Sequence, residues 1–184
     1  MSLTASNYNV LKKGDGAPLF DLPGADGKKH SLKEAKGKKA VLVVFMCNHC
    51  PYVQPKFSYL VNLQKKYAAR LQVFGINSND TKAYGEDDME HMKEYAKIHG
   101  FNFPYLLDES QEVARAYGAA CTPDPFLFDF KFKLVYHGRI DDAHAKPHEN
   151  AKTNELDEAV QQVLAGKIVT VKEEPSMGCN VKWK

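Results

Sequence analysis

Residues 40–50 read A-V-L-V-V-F-M-C-N-H-C, a continuous apolar run that ends in two cysteines separated by two residues. An apolar run of this length, rich in β-branched side chains, is typical of a strand that is buried on both faces of a sheet. The residues that follow have helical apolar spacing up to about Arg70, and Pro55 is expected to kink that helix. The sequence therefore predicts a strand, a C-x-x-C motif and a helix in immediate succession.

The two cysteines of this motif, Cys47 and Cys50, are predicted to be a catalytic dithiol. Catalytic groups of open α/β sheets collect at the carboxyl ends of strands. The N-terminus of the following helix would stabilise a thiolate there and lower the pKa of the thiol. We expect Cys47 to be the more exposed cysteine and to attack a partner disulfide, and Cys50 to resolve the mixed disulfide.

The two residues between the cysteines, Asn48 and His49, are expected to tune the pKa and the redox potential of the pair. A protonated His49 would place positive charge beside the Cys47 thiolate, favour the reduced form and make the pair more oxidising. The alternative is that His49 is only a solvent-facing spacer.

A C-x-x-C motif can also be half of a zinc site, which Cys121, Cys179 or a histidine would have to complete. The sequence has no second C-x-x-C, and structural zinc pairs usually lie in turns rather than between a buried strand and a helix. We therefore predict no metal ligand set and no cofactor.

Further along the chain, strands and helices alternate. Strands are predicted at Leu71–Ile76 and Phe103–Leu107, and two antiparallel strands follow near the C-terminus. This order predicts an α/β fold with a central mixed sheet covered by helices on both faces. Before it, residues 14–27 predict a β-hairpin and a turn. We expect one domain over residues 1–184, with a core at about 14–167 and a tail at 168–184, in which Ile168 to Val171 could add a strand.

Composition limits the range of partners. The formal net charge is +2 and most cationic residues are lysine, which predicts neither nucleic-acid nor membrane binding. The first residues lack the pattern of a signal peptide and no apolar stretch has spanning length, so we expect a cytoplasmic protein. The expected partner is a protein or low-molecular-weight thiol or disulfide, whereas the oligomeric state is not predicted.

Taken together, these features resemble the thioredoxin superfamily. The resemblance is closest to the peroxiredoxin-like branch, which includes the alkyl hydroperoxide reductase/thiol-specific antioxidant family. It rests on the opening G-D-G-A-P-L-F-D-L, on Pro55 after the motif, and on Thr122-Pro123 followed by F-L-F-D. It implies a thioredoxin-like fold with an N-terminal hairpin extension and an inserted strand–helix unit. It also implies that Pro123 is a cis-proline facing Cys47 and that the Thr122 backbone binds an extended substrate segment.

The sequence departs from the peroxiredoxin pattern at the reactive cysteine. Peroxiredoxins place a threonine or serine three residues before it, whereas Val44 stands three residues before Cys47. The strand before the motif also lacks the buried acid of thioredoxins, so the proton acceptor is not identified. The resemblance therefore implies a thiol-disulfide oxidoreductase, with a thiol-dependent peroxidase as the alternative.

The remaining two cysteines are possible auxiliary thiols. Cys121 lies two residues before Pro123, and the apolar tail residues would allow Cys179 to dock against the core. Cys179 could then bridge to Cys121 or act with the active-site pair. The favoured interpretation is that both are unpaired thiols.

A polar cluster follows the last predicted strand. It comprises His137, Arg139, Asp141, Asp142, His144 and His148. We expect a structural, solvated role, because this spacing matches no standard ligand set. A metal carrier that uses the cysteine pair with His137 or His144 is a second alternative function.

Overall fold

The computed structural model describes residues 3–184. The strands in that range are β1 (Leu3–Ala5), β2 (Asp21–Pro23), β3 (Lys29–Ser31), β4 (Ala40–Phe45), β5 (Leu71–Asn77), β6 (Tyr105–Leu107), β7 (Cys121–Thr122), β8 (Asp124–Asp129), β9 (Leu134–His137) and β10 (Met177–Asn180). The α-helices in the same range are α1 (Phe57–Tyr67), α2 (Met89–Ile98), α3 (Glu112–Tyr117) and α4 (Glu155–Leu164).

The main sheet has the strand order β6-β5-β4-β8-β9. Strands β4, β5 and β6 are parallel, whereas β8 runs antiparallel to β4 and β9 antiparallel to β8. The predicted mixed sheet is confirmed, and so is the antiparallel pair formed by the last two strands. Because β4 is the central strand, the C-x-x-C motif that follows it lies at the middle of the sheet, at the end where the parallel strands finish.

Strand β4 is buried on both faces, as its apolar run predicts. All six of its residues are at most 1% exposed. Leu42 and Val44 belong to the core that α1 and α4 cover, whereas Val43 and Phe45 belong to the core on the other face, which contains α3. Alternating side chains of one strand therefore anchor both layers, which fixes the position of the residues that follow it.

The helix after the motif begins later than the sequence predicts. A turn and a 3-10 helix, Gln54–Lys56, precede α1, and Pro55 lies in the first turn of that 3-10 helix. Proline is tolerated in a first turn because the N–H it lacks has no helical partner there. Pro55 therefore does not kink α1, and the expected kink is wrong. The helix is shorter than predicted, because it begins after Pro55 and ends at Tyr67.

The tail contributes a strand, but not where the pattern indicates. Residues 168–171 form no strand, and the Thr170 N–H donates to the side chain of Gln162 at 2.8 Å instead of to a neighbouring strand. The strand is β10, which lies between β1 and β7 in a three-stranded antiparallel sheet. The tail is therefore packed against the segment that contains Thr122.

The opening segment contains the predicted hairpin, but further along the chain than residues 14–27. Its strands are β2 and β3, which pair antiparallel, and the second strand, Lys29–Ser31, lies beyond the predicted range. Ser31 then caps the following 3-10 helix, Leu32–Ala35, in a capping box with Glu34. Among the helices of residues 3–184, none has both the length and the apolar character needed to cross a bilayer.

Candidate active site

Cys47 and Cys50 lie just beyond the carboxyl end of β4, as expected. The Met46 N–H continues the pairing with β5 by donating to the Ile76 carbonyl at 2.9 Å. The Cys50 carbonyl accepts from the N–H groups of Val53 and Gln54 at 2.9 and 3.1 Å, which starts the turn. Both cysteines are 0% exposed. The expectation that Cys47 is the exposed member is therefore wrong, because the surrounding segments cover both sulfurs.

One of those segments contains Thr122 and Pro123, joined by a cis peptide bond. The Thr122 Oγ1 lies 3.7 Å from the Cys47 Sγ. The carbonyl of the same residue accepts from the Cys50 thiol at 3.2 Å. The structure therefore places Thr122 in contact with both sulfurs, through its hydroxyl and its backbone.

The electrostatics of the pair differ from the sequence prediction. The pKa of Cys50 is lowered to about 5, first by a hydrogen bond from Cys47 and then, against the effect of burial, by bonds from Thr122 and from the backbone and side chain of Cys179. The pKa of Cys47 is raised well above its usual value by the bond to Cys50, by burial and by the charge of Asp87. The opposite directions of these two shifts make Cys50 the more acidic thiol of the reduced pair and Cys47 the less acidic one.

Asn48 and His49 are held by one buried carboxylate, Asp87. The Asn48 N–H donates to the Asp87 Oδ1 at 2.9 Å, and the His49 Nδ1 lies 2.7 Å from the Asp87 Oδ2. This carboxylate is the first cause of the raised pKa of His49. His49 also stacks on Tyr84, with ring centroids 5.7 Å apart. His49 is therefore a partly buried member of an ion pair and not a free spacer.

Asp87 is a site residue that the sequence pattern does not indicate. Its neighbour Asp88 is the N-cap of α2 and accepts from the His91 N–H at 2.9 Å. Asp87 is 0% exposed, and its position is fixed by two side-chain amides. Asn79 donates to its Oδ2 at 2.7 Å and Asn77 donates to its carbonyl at 2.8 Å. The available signal is the sequence Asn77-Ser78-Asn79, two amide side chains at the end of a buried strand.

The two auxiliary thiols lie on one strand pair but on opposite faces of it. Cys179 is the register partner of Thr122, and Cys121 is the register partner of Asn180. Adjacent residues of a strand point to opposite faces, so Cys121 and Cys179 do not face each other. Within residues 3–184, no disulfide joins any of the four cysteines. Cys179 contacts Cys50, and the Cys121 Sγ faces the carbonyls of Pro123 and Ser176 at 3.7 and 3.8 Å.

The polar cluster after β9 separates into several ion pairs. His137 contacts Asp124 at 2.8 Å, and His148 contacts Asp141 at 2.7 Å. Asp141 also pairs with the buried Lys56, and Arg139 pairs with Glu155. Lys152 and Thr153 donate backbone N–H groups to Asp142. The cluster therefore does not form one site, in agreement with the expected structural role.

The metal-carrier hypothesis named the wrong histidines. Within residues 3–184, one group has ligand atoms close enough to hold an ion together, namely Cys47, His49 and Asp87, whose atoms lie within 4.8 Å of one another. It includes neither His137 nor His144. The Asp87 carboxylate accepts hydrogen bonds from the Asn48 N–H and the Asn79 side chain, and the Cys47 thiol is hydrogen-bonded to Cys50.

A dithiol at the end of a central strand, beside a proline segment and within a mixed sheet, is the arrangement of thioredoxin-like proteins. Within that class the chain belongs to the Redoxin family, whose model matches residues 12–156. The fold and the family resemblance read from the sequence are thereby confirmed.

Three similar proteins illustrate this relationship. The chain is 30% identical over 134 residues to the thioredoxin-like protein YneN of Bacillus subtilis (strain 168), which is 73% of this chain and 72% of YneN. It is 28% identical over 126 residues to the thiol-disulfide oxidoreductase ResA of the same strain, which is 68% of this chain and 66% of ResA. A hypothetical protein from Sinorhizobium meliloti 1021 has a solved structure with a TM-score of 0.91 and 44% identity, covering 98% of each chain.

Proposed function

We propose that the protein is a thiol-disulfide oxidoreductase whose redox centre is the Cys47–Cys50 pair. The observation that carries this proposal is the placement of both sulfurs against Thr122 beyond the end of β4, with the Cys47 Sγ 3.7 Å from the Thr122 hydroxyl and the Cys50 Sγ 3.2 Å from the Thr122 carbonyl. The pKa of Cys50, lowered to about 5 by the neighbouring Cys47 thiol, supports it. A dithiol that holds one proton and one negative charge is prepared for exchange, because thiolates are the reacting species. The relative ResA carries this activity in its name.

In this reaction Cys47 attacks a partner disulfide and passes its proton to the neighbouring Cys50 thiolate. A Cys47–partner disulfide forms and the partner's first sulfur leaves as a thiolate. Cys50 then loses its proton to that leaving thiolate and attacks the Cys47 sulfur. The Cys47–Cys50 disulfide forms, the second partner sulfur leaves as a thiolate, and the pair has lost the two electrons that the partner has gained.

Asp87 and His49 determine the electrostatic environment in which Cys47 loses its proton. The negative charge of Asp87 raises the pKa of Cys47, and the His49 imidazole pairs with the same carboxylate. A protonated His49 offsets that negative charge, so the ion pair regulates how readily Cys47 loses its proton. Asn48 positions the motif by donating to Asp87 and by accepting from the Tyr105 hydroxyl at 2.9 Å.

Substrate binding is assigned to the cis-proline segment, Thr122-Pro123, because Thr122 contacts both sulfurs. Both sulfurs are buried, so a partner reaches them only after a covering segment moves. The proposed partner is a protein or a low-molecular-weight disulfide. A cytoplasmic site of action belongs to the same proposal, since a close cysteine pair in a reducing compartment is more often catalytic than structural.

One observation favours peroxidase, or antioxidant, activity as a second candidate. The Thr122 hydroxyl beside Cys47 could serve in place of the threonine that peroxiredoxins carry before the reactive cysteine. The raised pKa of Cys47 opposes this function, because peroxide reacts with the thiolate.

The test compares the rates at which the fully reduced protein is oxidised by oxidised glutathione and by hydrogen peroxide. We expect ready exchange with oxidised glutathione, slow reaction with peroxide, and loss of exchange in Cys47→Ser. Cys121→Ser is the matched control, because Cys121 faces away from Cys179 in the strand pair, and it should react as the wild type does. Exchange that is unchanged in Cys47→Ser would refute the proposal, whereas fast peroxide oxidation that requires Cys47 would favour the peroxidase.

A further inference from the structure

Cys179 lies against the redox pair although it is distant in the sequence. In the register of β10 and β7 it stands opposite Thr122, the residue that contacts both Cys47 and Cys50. The backbone and the thiol of Cys179 both form hydrogen bonds to the Cys50 sulfur. Three sulfurs are therefore clustered, with Cys50 between Cys47 and Cys179.

The sequence of β10 allows this close contact. A Cβ at Gly178 would lie 2.7 Å from the Thr122 carbonyl carbon and 3.4 Å from the Pro123 nitrogen, closer still to the Thr122 oxygen. A glycine at this position therefore allows β10 to approach the cis-proline segment. Cys179 is 3% exposed, and β10 is paired on both sides by β1 and β7. The thiol is thus held at the pair by two strands and not by a loose terminus.

We propose that Cys179 is a third redox thiol, which exchanges with the Cys47–Cys50 disulfide by attacking the Cys50 sulfur. The Cys50–Cys179 bond forms and the Cys47–Cys50 bond breaks. The proton of Cys179 passes to the Cys47 thiolate that is released, and no electrons are gained or lost. This step rests on the proposed function, since the disulfide that it consumes is the product of that function.

The charge of Cys50 confines this exchange to the oxidised state. In the reduced protein, burial and the neighbouring Cys50 raise the pKa of Cys179 to about 11, so Cys179 remains a thiol and donates to Cys50. When Cys50 enters a disulfide it loses its negative charge, and one cause of the raised pKa disappears. Lys182, whose charge lowers the pKa of Cys179, remains. Cys179 therefore becomes a better nucleophile only when there is a disulfide to attack.

The consequence is that the oxidised protein holds its disulfide between Cys50 and Cys179 and keeps Cys47 as a thiol. A buried thiol in contact with Cys50 competes favourably with thiols from solution, because its attack is intramolecular. Cys47 is then free to react with the next partner while the oxidised state is kept as Cys50–Cys179.

The experiment maps disulfides by peptide mass spectrometry after the full chain is oxidised with diamide, a thiol oxidant that does not depend on exchange through Cys47, and the remaining thiols are blocked. We expect Cys47→Ser to form the Cys50–Cys179 disulfide, and the wild type to contain both Cys47–Cys50 and Cys50–Cys179. Adding Cys121→Ser to Cys47→Ser should leave the yield unchanged. Adding Gly178→Ala should lower it about tenfold, because the new methyl group displaces β10.

The outcomes separate this inference from the proposed function. If the wild type exchanges readily with oxidised glutathione but Cys50–Cys179 forms neither there nor in Cys47→Ser, the inference is overturned and the proposed function stands. Cys50–Cys179 could form in Cys47→Ser while exchange of the wild type with oxidised glutathione proves independent of Cys47. The proposed function would then fail, and Cys179 would still be assigned as a redox partner of Cys50. A disulfide between Cys121 and Cys179 would also overturn the inference.

Discussion

The Asp87 Oδ2 lies 2.7 Å from the His49 Nδ1, so a buried carboxylate from the loop before α2 faces the imidazole between the two cysteines. This contact joins two segments that are far apart in the sequence. It gives the site an acid that the strand before the motif lacks. It also means that the protonation of His49 and the reactivity of Cys47 depend on the same carboxylate.

The first prediction concerns Asp87→Asn, which keeps the shape of the side chain and removes its charge. The pKa of His49, which Asp87 raises above the ordinary 6.5, should fall, and so should the pKa of Cys47. The stabilisation that the folded protein gains from His49 is fully present below 6.5 and is lost as the pH rises through the raised pKa. NMR titration of the His49 ring measures the change. Asp88→Asn is the control, because it neutralises the adjacent carboxylate without contacting His49; an unchanged His49 titration in Asp87→Asn would contradict the account.

The second prediction concerns the thiolate of Cys50. Thiolate absorbance of the reduced protein should titrate with a midpoint of about 5, and Cys50→Ser should abolish that transition. Because the pKa in the folded state lies below the ordinary 9.0, ionisation of Cys50 stabilises the reduced protein above that ordinary value. This stabilisation is lost as the pH falls through about 5. A single midpoint near 9.0 would show that the clustered donors do not act on Cys50.

The third prediction tests the Thr122 hydroxyl apart from the backbone. Thr122→Val removes the group 3.7 Å from Cys47 and one of the donors to Cys50, but keeps the cis-proline segment. We expect the midpoint of the thiolate titration to rise by about one pH unit, as the loss of one hydrogen bond to a charged group would cause. Thr153→Val, at a threonine that donates to Glu155, is the matched control and should leave the midpoint in place. The prediction is wrong if the two variants titrate alike.

The fourth prediction concerns the buried ion pair behind the motif. Lys56 is 2% exposed, and its Nζ donates to the two carboxylate oxygens of Asp141 at 2.7 and 2.8 Å. Lys56→Met should lower the free energy of unfolding by about 3 kcal/mol, because the buried Asp141 loses the ammonium group that donates to both of its oxygens. Lys93→Met, which breaks an exposed pair with Glu90, should cost less than about 1 kcal/mol. Urea denaturation measures both, and equal losses would contradict the assigned role of the buried pair.

Much of the fold could be predicted because its signals are local. The uninterrupted apolar run of β4 indicates a buried strand, and the turn residues of segment 14–27 indicate a hairpin. Such patterns depend on neighbouring residues along the chain. They were sufficient to place the C-x-x-C motif at the end of the central strand.

The rest depends on contacts between distant segments. The apolar stretch Ile168–Val171 predicts a strand in the tail. The strand forms instead at Met177–Asn180, because β1 and β7 both pair with it there. The burial of Cys47 and the role of Asp87 have the same origin. The loop that contains Asp87 is polar and reads as solvent-facing until the fold brings it over the cysteines.

The central claim is that Cys47 exchanges with a partner disulfide beside the Cys50 thiolate. The most direct test treats reduced Cys50→Ser with oxidised glutathione and identifies the modified residue by mass spectrometry. We predict one stable glutathione adduct, on Cys47, because the variant lacks the thiol that would resolve it. The absence of any adduct on Cys47, with glutathione instead on Cys121 or on no residue, would contradict the assignment of this pair as the redox centre.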